Sequence, residues 1–428
     1  MKKLFVLTLC LLITLGLTGA MAAGIDDFDY STDPQAKTAT IVSYSGLEED
    51  VIIPAVLDGY PVTGIGDAAF NACDAISSIT IPDTVTTIGA RAFYMCSSLE
   101  SIAIPHGVTF IGADAFYGCR SLTTISLPDT LTDVGVNPFH FCEKLTTIQV
   151  SPEHPALEVI GGVLFDKADK RLICYPSGLT AAAYAIPQGV RIIGDLAFTD
   201  CTALTTLTIP ASVTAVEGGP FRSCKNLADM VVSPEHPALE VVDGALFGKA
   251  DDRLIFYPRT RVTYEYAIPQ GTRIIGKNAF HECRSLFYID IPDSVTTIED
   301  NAFTSSGLLT VNVPDSVTSM GNAVFYFCTD LTSAVIPESI TAISDSTFCY
   351  CSSLREVNLP EDITAIGTQA FFRCGELSAL TLPDSVASIG TNAFGNCTAL
   401  TLTVPRDSYA HQYCIDRKLN HTFPDTNN

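Results

Sequence analysis

The residues able to do chemistry come in copies. Glu153-His154 and Glu235-His236 sit in two identical octapeptides, Ser-Pro-Glu-His-Pro-Ala-Leu-Glu, at 151–158 and 233–240. A carboxylate beside an imidazole can act as an acid–base pair or bind a divalent metal, and the same proline-flanked segment also reads as a copied loop. A second series of carboxylates follows prolines: Asp83, Asp129, Asp293, Asp315, Glu338, Glu361 and Asp384, the last five in consecutive repeats. Stacked at strand spacing, about 5 Å, such oxygens can share Ca²⁺; an Asp after Pro also makes a turn or caps backbone amides. Fifteen cysteines are present. Eleven share one phase, at 73, 96, 119, 142, 201, 224, 283, 328, 351, 374 and 397, with Ser306 replacing one. Equal phase means an inward-pointing thiol ladder that fills space. There is no CxxC pair, and Cys349-Tyr-Cys351 is too close for a standard zinc pair. A nucleophile elbow, a His-Glu-x-x-His helix and a phosphate-binding Gly-Lys-Ser/Thr loop are all absent from the sequence. No catalytic residue, resident metal or cofactor is assigned.

Contact chemistry is the stronger signal. The outward strand positions are mostly small hydroxyl residues, such as Thr123, Thr124 and Ser126, then Thr205, Thr206 and Thr208. The character changes at Phe287, Tyr288 and Asp290, and again at Arg355, Glu356 and Asn358. Exposed aromatics beside charges are typical of recognition hot spots, so these six are the candidate binding residues, with Tyr264 and Tyr266 nearby. The chain has no Trp, which removes the usual platform for sugars.

A repeat must position all of this. An aliphatic-Pro start recurs at 53, 81, 104, 127, 186, 209, 268, 291, 313, 336, 359, 382 and 404, mostly at steps of 23 and twice of 22. A fixed period of this size is the signature of a solenoid. Within a repeat, Leu99-x-x-Ile102-x-Ile104 reads as a strand ended by Pro105. Val85-x-x-Ile88-Gly89 is a second apolar segment closed by a tight glycine turn. Ala92-Phe93-x-x-Cys96-x-x-Leu99 has helical spacing over one short turn. Phenylalanine recurs at 70, 93, 116, 139, 198, 221, 280, 303, 325, 348, 371 and 394, a core ladder. Two hairpin inserts, at about 151–185 and 233–267, interrupt the rhythm; segments 104–185 and 186–267 look like one duplicated unit.

The pattern Leu-x-x-Ile-x-Ile-Pro-x-x-Val-x-x-Ile-Gly-x-x-Ala-Phe-x-x-Cys, over roughly residues 40 to 405, resembles the BspA-like class of leucine-rich repeat proteins. The resemblance implies a curved, β-rich parallel solenoid with short helical or 3₁₀ turns on a secreted or cell-surface protein. It also implies adhesion to extracellular-matrix or cell-surface proteins, and no shared catalytic residues. The expected organisation is a signal peptide at 1–22, with Lys2, Lys3 and an apolar run Leu4 to Leu17. An N-terminal cap at 23–52, repeats at 53–405 and a C-terminal cap and tail at 406–428 follow, with a helix from Ser408 to Leu419. No later apolar run is long enough to insert in a membrane. The formal net charge is −23 and becomes more negative once the leader lysines go. Nucleic acid is therefore a poor partner, since a binder must neutralise phosphates. The functional expectation is a non-enzymatic protein-binding molecule; a structural cell-envelope or surface-layer component is the alternative.

Overall fold

The computed structural model describes residues 24–424. The leader assigned to residues 1–22 lies outside the described residues. Each repeat contributes two strands and a stack of turns. The longer strand, for example Ser101–Ala103, pairs in parallel with its equivalents one repeat before and after, Ser78↔Ser101↔Thr124 and Thr80↔Ala103↔Ser126. The shorter strand, Thr87–Ile88, pairs likewise with Gly64–Ile65 and Phe110–Ile111. β-branched residues favour both extended segments, and each longer strand ends where proline removes an N–H donor.

The segment with helical spacing is not a helix. Around Phe93 it is a run of β-turns in which Tyr94 N–H reaches Arg91 O and Cys96 N–H reaches Phe93 O, at 3.0 and 3.3 Å. Alternate amides point instead to the next repeat, Arg91 N–H to Ala113 O and Phe93 N–H to Ala115 O, at 3.0 and 2.7 Å. Arg91 and Met95 therefore take left-handed backbone, φ 56° and 60°. Two successive turns reproduce the three-residue spacing of a helix turn while sending half the backbone bonds along the stack.

The glycine after the short strand also has a different reason from the expected turn. At Gly112 a Cβ would lie 2.4 Å from Ala90 N, so closeness of neighbouring repeats excludes a side chain, and no positive φ is involved. Phenylalanine fills the axis. Phe280, Phe303 and Phe325 are fully buried and stack nearly parallel, with centroids 5.1 and 5.5 Å apart. Tyr175 and Tyr257 take over this phase in the repeats that follow the hairpins, at 5.4 Å from Phe198 and 5.1 Å from Phe280.

The fourteen described cysteines are free thiols, and they do more than fill space. Cys96 Sγ donates to Phe70 O at 3.1 Å, Cys119 to Phe93 O at 3.3 Å and Cys351 to Phe325 O at 3.1 Å. Each thiol thus satisfies a carbonyl of the preceding repeat. Ser306 lies in the gap, its hydroxyl 3.3 Å from Cys328 Sγ. Burial pushes the thiols up, Cys283 and Cys174 to about 12 and Cys328 to about 11. Since the thiolate is the reactive form, native labelling with iodoacetamide at pH 8 should reach only the half-buried Cys73 and Cys397 of the fourteen described thiols. Intact-mass counting before and after denaturation checks this. Rapid native labelling at Cys119 or Cys351 would show that the ladder is open.

Both inserts are three-stranded and antiparallel. Leu157–Ile160, Val163–Asp166 and Arg171–Cys174 form the first, and Leu239–Val242, Ala245–Gly248 and Arg253–Phe256 the second. The last strand of each rejoins the short-strand ladder in parallel, Leu172↔Ile193 and Leu254↔Ile275. The longer-strand ladder is broken at each insert and twice more, between 290 and 310 and between 358 and 379. At the start, Phe28–Asp33 pairs antiparallel with Thr38–Tyr44, which then pairs with the first repeat. At the end, a helix spans Tyr409–Arg417; Ser408 Oγ accepts from His411 N–H at 3.1 Å and caps it. Among the described residues no helix is long and apolar enough to cross a membrane.

Candidate functional site

The strand Glu265–Ala267 pairs with Tyr288–Asp290, Glu265↔Tyr288 and Ala267↔Asp290, as a sheet of only two strands. Side chains alternate along a strand, so Ile289 and Tyr266 turn toward the core while Glu265, Tyr288 and Asp290 turn outward. Tyr288 is 50% exposed. Phe287 is half-buried and not the exposed aromatic its neighbours suggest: its ring stacks on Tyr264, centroids 5.4 Å apart at 21°. Phe287 and Tyr264 therefore brace each other beside the outward face.

Tyr288 and Asp290 line a pocket of about 680 Å³ together with residues the sequence did not single out: Asp243 at the hairpin turn, Arg261, Thr263 and Glu265. Tyr257 and Tyr266 form its aromatic wall, centroids 4.5 Å apart. The Tyr257 hydroxyl is tied to Thr263 Oγ1 at 2.6 Å. The Tyr266 hydroxyl is buried without a partner, and burial pushes it up to about 12. Asp243, Arg261 and Glu265 lie 23 to 45 residues before Tyr288, and only the path of the second hairpin brings them to it.

The second sequence-predicted group lies farther along the same ladder. Arg355, Glu356 and Asn358 are exposed and line a groove of about 770 Å³ that opens at the break before strand Ala379–Thr381. Arg355 Nε stands 3.9 Å from Glu376 Oε2, both side chains well exposed; an ion pair of this kind contributes little. A third groove of about 560 Å³ joins the two groups, with Asp290 at one end, Asn358 at the other and Asp293, Asp315 and Glu338 between. Five of the six residues, all but Phe287, thus line one run of grooves across four repeats, roughly 15 Å at strand spacing.

One member of the acid series and both of the paired histidines have structural uses. Glu338 Oε2 accepts from Glu361 N–H at 3.1 Å, one post-proline carboxylate capping the next repeat. Among the described residues no group of three or more His, Cys, Asp or Glu side chains is arranged to hold a metal ion. His154 and His236 are buried, each 1% exposed. Nε2 of each faces a proline carbonyl at 3.0 Å, Pro128 and Pro210, and Nδ1 accepts the amides of Leu157 and Leu239 at 3.0 and 3.1 Å. With both ring nitrogens committed to backbone, these histidines pin the inserts and have no nitrogen left for a substrate.

A different polar group was missed. Of seven buried side-chain atoms without a partner among the described residues, five belong to His140, Thr199, Asp200, Arg222 and His281. All lie in the turns that flank the two inserts. Desolvation holds His140 down at about 4 and His281 at about 3, and raises the Asp200 carboxyl to about 7. The readable signal was phase: His140 continues the series Tyr94, Tyr117, whose rings stack at 4.4 Å, and meets Tyr117 edge-on at 4.6 Å.

Residues 63–184, 175–240 and 273–401 match the BspA-type leucine-rich repeat region in six copies. Among solved structures, the chain is similar to a leucine-rich cell-surface protein of Faecalibacterium prausnitzii, at 29% identity over 93% of this chain and 98% of that one, TM-score 0.44. It is also similar to a leucine-rich repeat protein of Bacteroides ovatus, at 26% identity over 94% and 100% of the two chains, TM-score 0.34. A third likeness is to the pneumococcal vaccine antigen PcpA, at 18% identity over 94% and 98%, TM-score 0.39. No functionally curated protein matches the chain.

Proposed function

Because this chain belongs to the BspA-type leucine-rich repeat family, we propose that it is an exported, non-enzymatic binding protein whose outer sheet face engages a protein of the extracellular matrix or of another cell's surface. Leucine-rich repeat scaffolds of this family generally serve protein–protein interaction. The observation that carries the reading is the change of the outward face. It is lined by threonine and serine through the early repeats, then by Tyr288, Asp290, Arg355, Glu356 and Asn358 around continuous grooves. An aromatic anchor beside mixed charges, ringed by small polar residues, has the composition of an interaction hot spot. Repetition supplies an extended surface without needing an enclosed active site.

Binding of the purified chain to an array of matrix proteins, mucins and cell-surface proteins at physiological salt tests this. A specific protein hit is expected, weakened about tenfold or more in a Phe287→Ala, Tyr288→Ala variant that still melts cooperatively. A blank array from folded protein would overturn the adhesive reading. A hit that the double variant leaves unchanged would overturn this face as its site.

A further inference from the structure

We propose that the pocket at the second insert receives a basic side chain, lysine or arginine, of the protein partner; this rests on the binding reading above and specifies the chemistry at one point of it. The duplication provides an internal comparison, because position n in the first copy corresponds to n + 82 in the second: Tyr175 to Tyr257, Tyr184 to Tyr266, Gly161 to Asp243. The framework is shared. Tyr175 and Tyr184 pack as Tyr257 and Tyr266 do, centroids 5.0 and 4.5 Å apart, and the strands pair in the same register, Ala183↔Thr206 beside Glu265↔Tyr288. The lining is not shared. Around the first insert stand Gly161, Ala183, Thr206 and Thr208; 82 positions on, around the second, stand Asp243, Glu265, Tyr288 and Asp290, and Leu179 becomes Arg261. These five changes each add an aromatic ring or a charge, beside the milder changes Ala181 to Thr263 and Leu207 to Ile289, and all line the one pocket. None is needed for folding, since the first copy builds the same framework without them.

The chemistry of the added groups favours a cation. The lining carries three carboxylates, Asp243, Glu265 and Asp290, and one guanidinium, Arg261, and none of the four is in an ion pair among the described residues. Arg261 lies down over the hairpin turn, where a Cβ at Gly244 would overlap its guanidinium, so it covers the turn and leaves the mouth acidic. Tyr288 stands half-exposed next to Glu265 on the paired strand. A carboxylate beside an open aromatic face holds ammonium or guanidinium by charge and by the ring quadrupole together. The neighbouring groove extends the negative field through Asp293, Asp315 and Glu338, which steers a basic segment toward the pocket.

Fluorescence polarisation with a labelled lysine-rich peptide, its fully acetylated form and a glutamate-rich peptide tests the inference on the full chain. The diagnostic variant returns the five charged or aromatic positions to their counterparts around the first insert: Asp243→Gly, Arg261→Leu, Glu265→Ala, Tyr288→Thr, Asp290→Thr. The chain already accommodates these residues 82 positions earlier, and a thermal melt checks that folding is kept. A control variant, Asp293→Asn, Asp315→Asn, Glu338→Gln, neutralises the groove and leaves the pocket intact. The expected result is binding of the unmodified basic peptide alone, weakened about tenfold or more by the pocket variant and only about two- to threefold by the control. Equal binding of the acetylated peptide, no response to the pocket variant, or an equal loss in the control would each overturn the proposal. Protein hits that depend on Tyr288 while the basic peptide fails to bind would sink this inference and leave the adhesive reading standing. Peptide binding of the expected pattern with a blank protein array would do the reverse.

Discussion

Phe303→Ala is expected to lower stability by about 3–5 kcal/mol, the range for deleting a fully buried ring from a close-packed core. Phe303 is 0% exposed and lies between Phe280 and Phe325, with interplanar angles of 12° and 10°. Its removal leaves two ring faces without a neighbour. A Cβ methyl cannot fill that space, because the backbone on either side is fixed by bonds along the stack, Phe280 N–H to Ala302 O and Phe303 N–H to Val324 O, at 2.8 and 2.9 Å. The carbonyl of Phe303 also accepts the Cys328 thiol at 3.1 Å, so relaxation there would break a second ladder. Nearest-neighbour coupling dominates in a solenoid, and the loss should be felt mainly by adjacent repeats. Urea unfolding followed by circular dichroism measures the total. Hydrogen exchange should show protection lost first around 280–330 and retained near Phe93. A cost below about 1 kcal/mol would mean that the phenylalanine ladder is not the core.

Much of this architecture was legible because a solenoid writes its packing into phase. A residue type recurring every 23 positions occupies one place in every turn, so the phenylalanines and cysteines announced themselves as interior, and Ser408 announced a helix start by its type alone. Three features were not legible, each for a physical reason. The segment around Phe93 has helical spacing because two successive β-turns also advance three residues at a time. What excludes the helix is the bonding of Arg91 and Phe93 to the next repeat, and that is tertiary. The thiol-to-carbonyl bonds depend on a neighbour 26 residues away, as with Cys119 and Phe93, whereas identical phase shows only that the sulfur is inside. The candidate site was half legible. Tyr288 and Asp290 stood out against a background of threonine, but Asp243, Arg261 and Glu265 belong to an insert, where the phase is broken and proximity must be seen. The duplication held the clue: setting the two copies side by side isolates the residues that differ at outward positions. Lys277 Nζ and Asp195 Oδ2, 2.7 Å apart, stand at equivalent positions just after each insert, 82 residues apart.

Acid is expected to destabilise the protein through its turn stack, and two substitutions should change the slope in opposite directions. His140 and His281 are held neutral by burial, down to about 4 and 3, with Arg222 opposing protonation of both, Arg259 and Arg284 adding to it at His281, and Asp114 favouring it at His140. A folded value below the ordinary 6.5 means that the unfolded chain takes up the proton first. The stability these histidines support is present above about pH 6.5 and is lost as pH falls toward 4 and then 3. Asp200 runs the other way. Burial raises its carboxyl to about 7 against the lowering effect of Arg222, so its contribution is complete below about pH 3.8 and is lost as pH rises through 7. Between pH 4 and 6.5, unfolding therefore takes up two protons at the histidines and releases one at Asp200. The net of one proton is a slope of about 1.4 kcal/mol per pH unit, with stability falling on acidification. His281→Thr installs the residue that the first copy carries at Thr199 and should remove about that slope. Asp200→Asn should steepen it to roughly twice the value. Urea midpoints at pH 4.5, 5.5 and 6.5 for the three proteins measure the differences, and comparison with the parent cancels the surface carboxylates common to all. Parallel curves would mean that the turn-stack polar groups exchange with solvent in the folded state, and the assignment of neutral buried histidines and a protonated Asp200 would have to be abandoned.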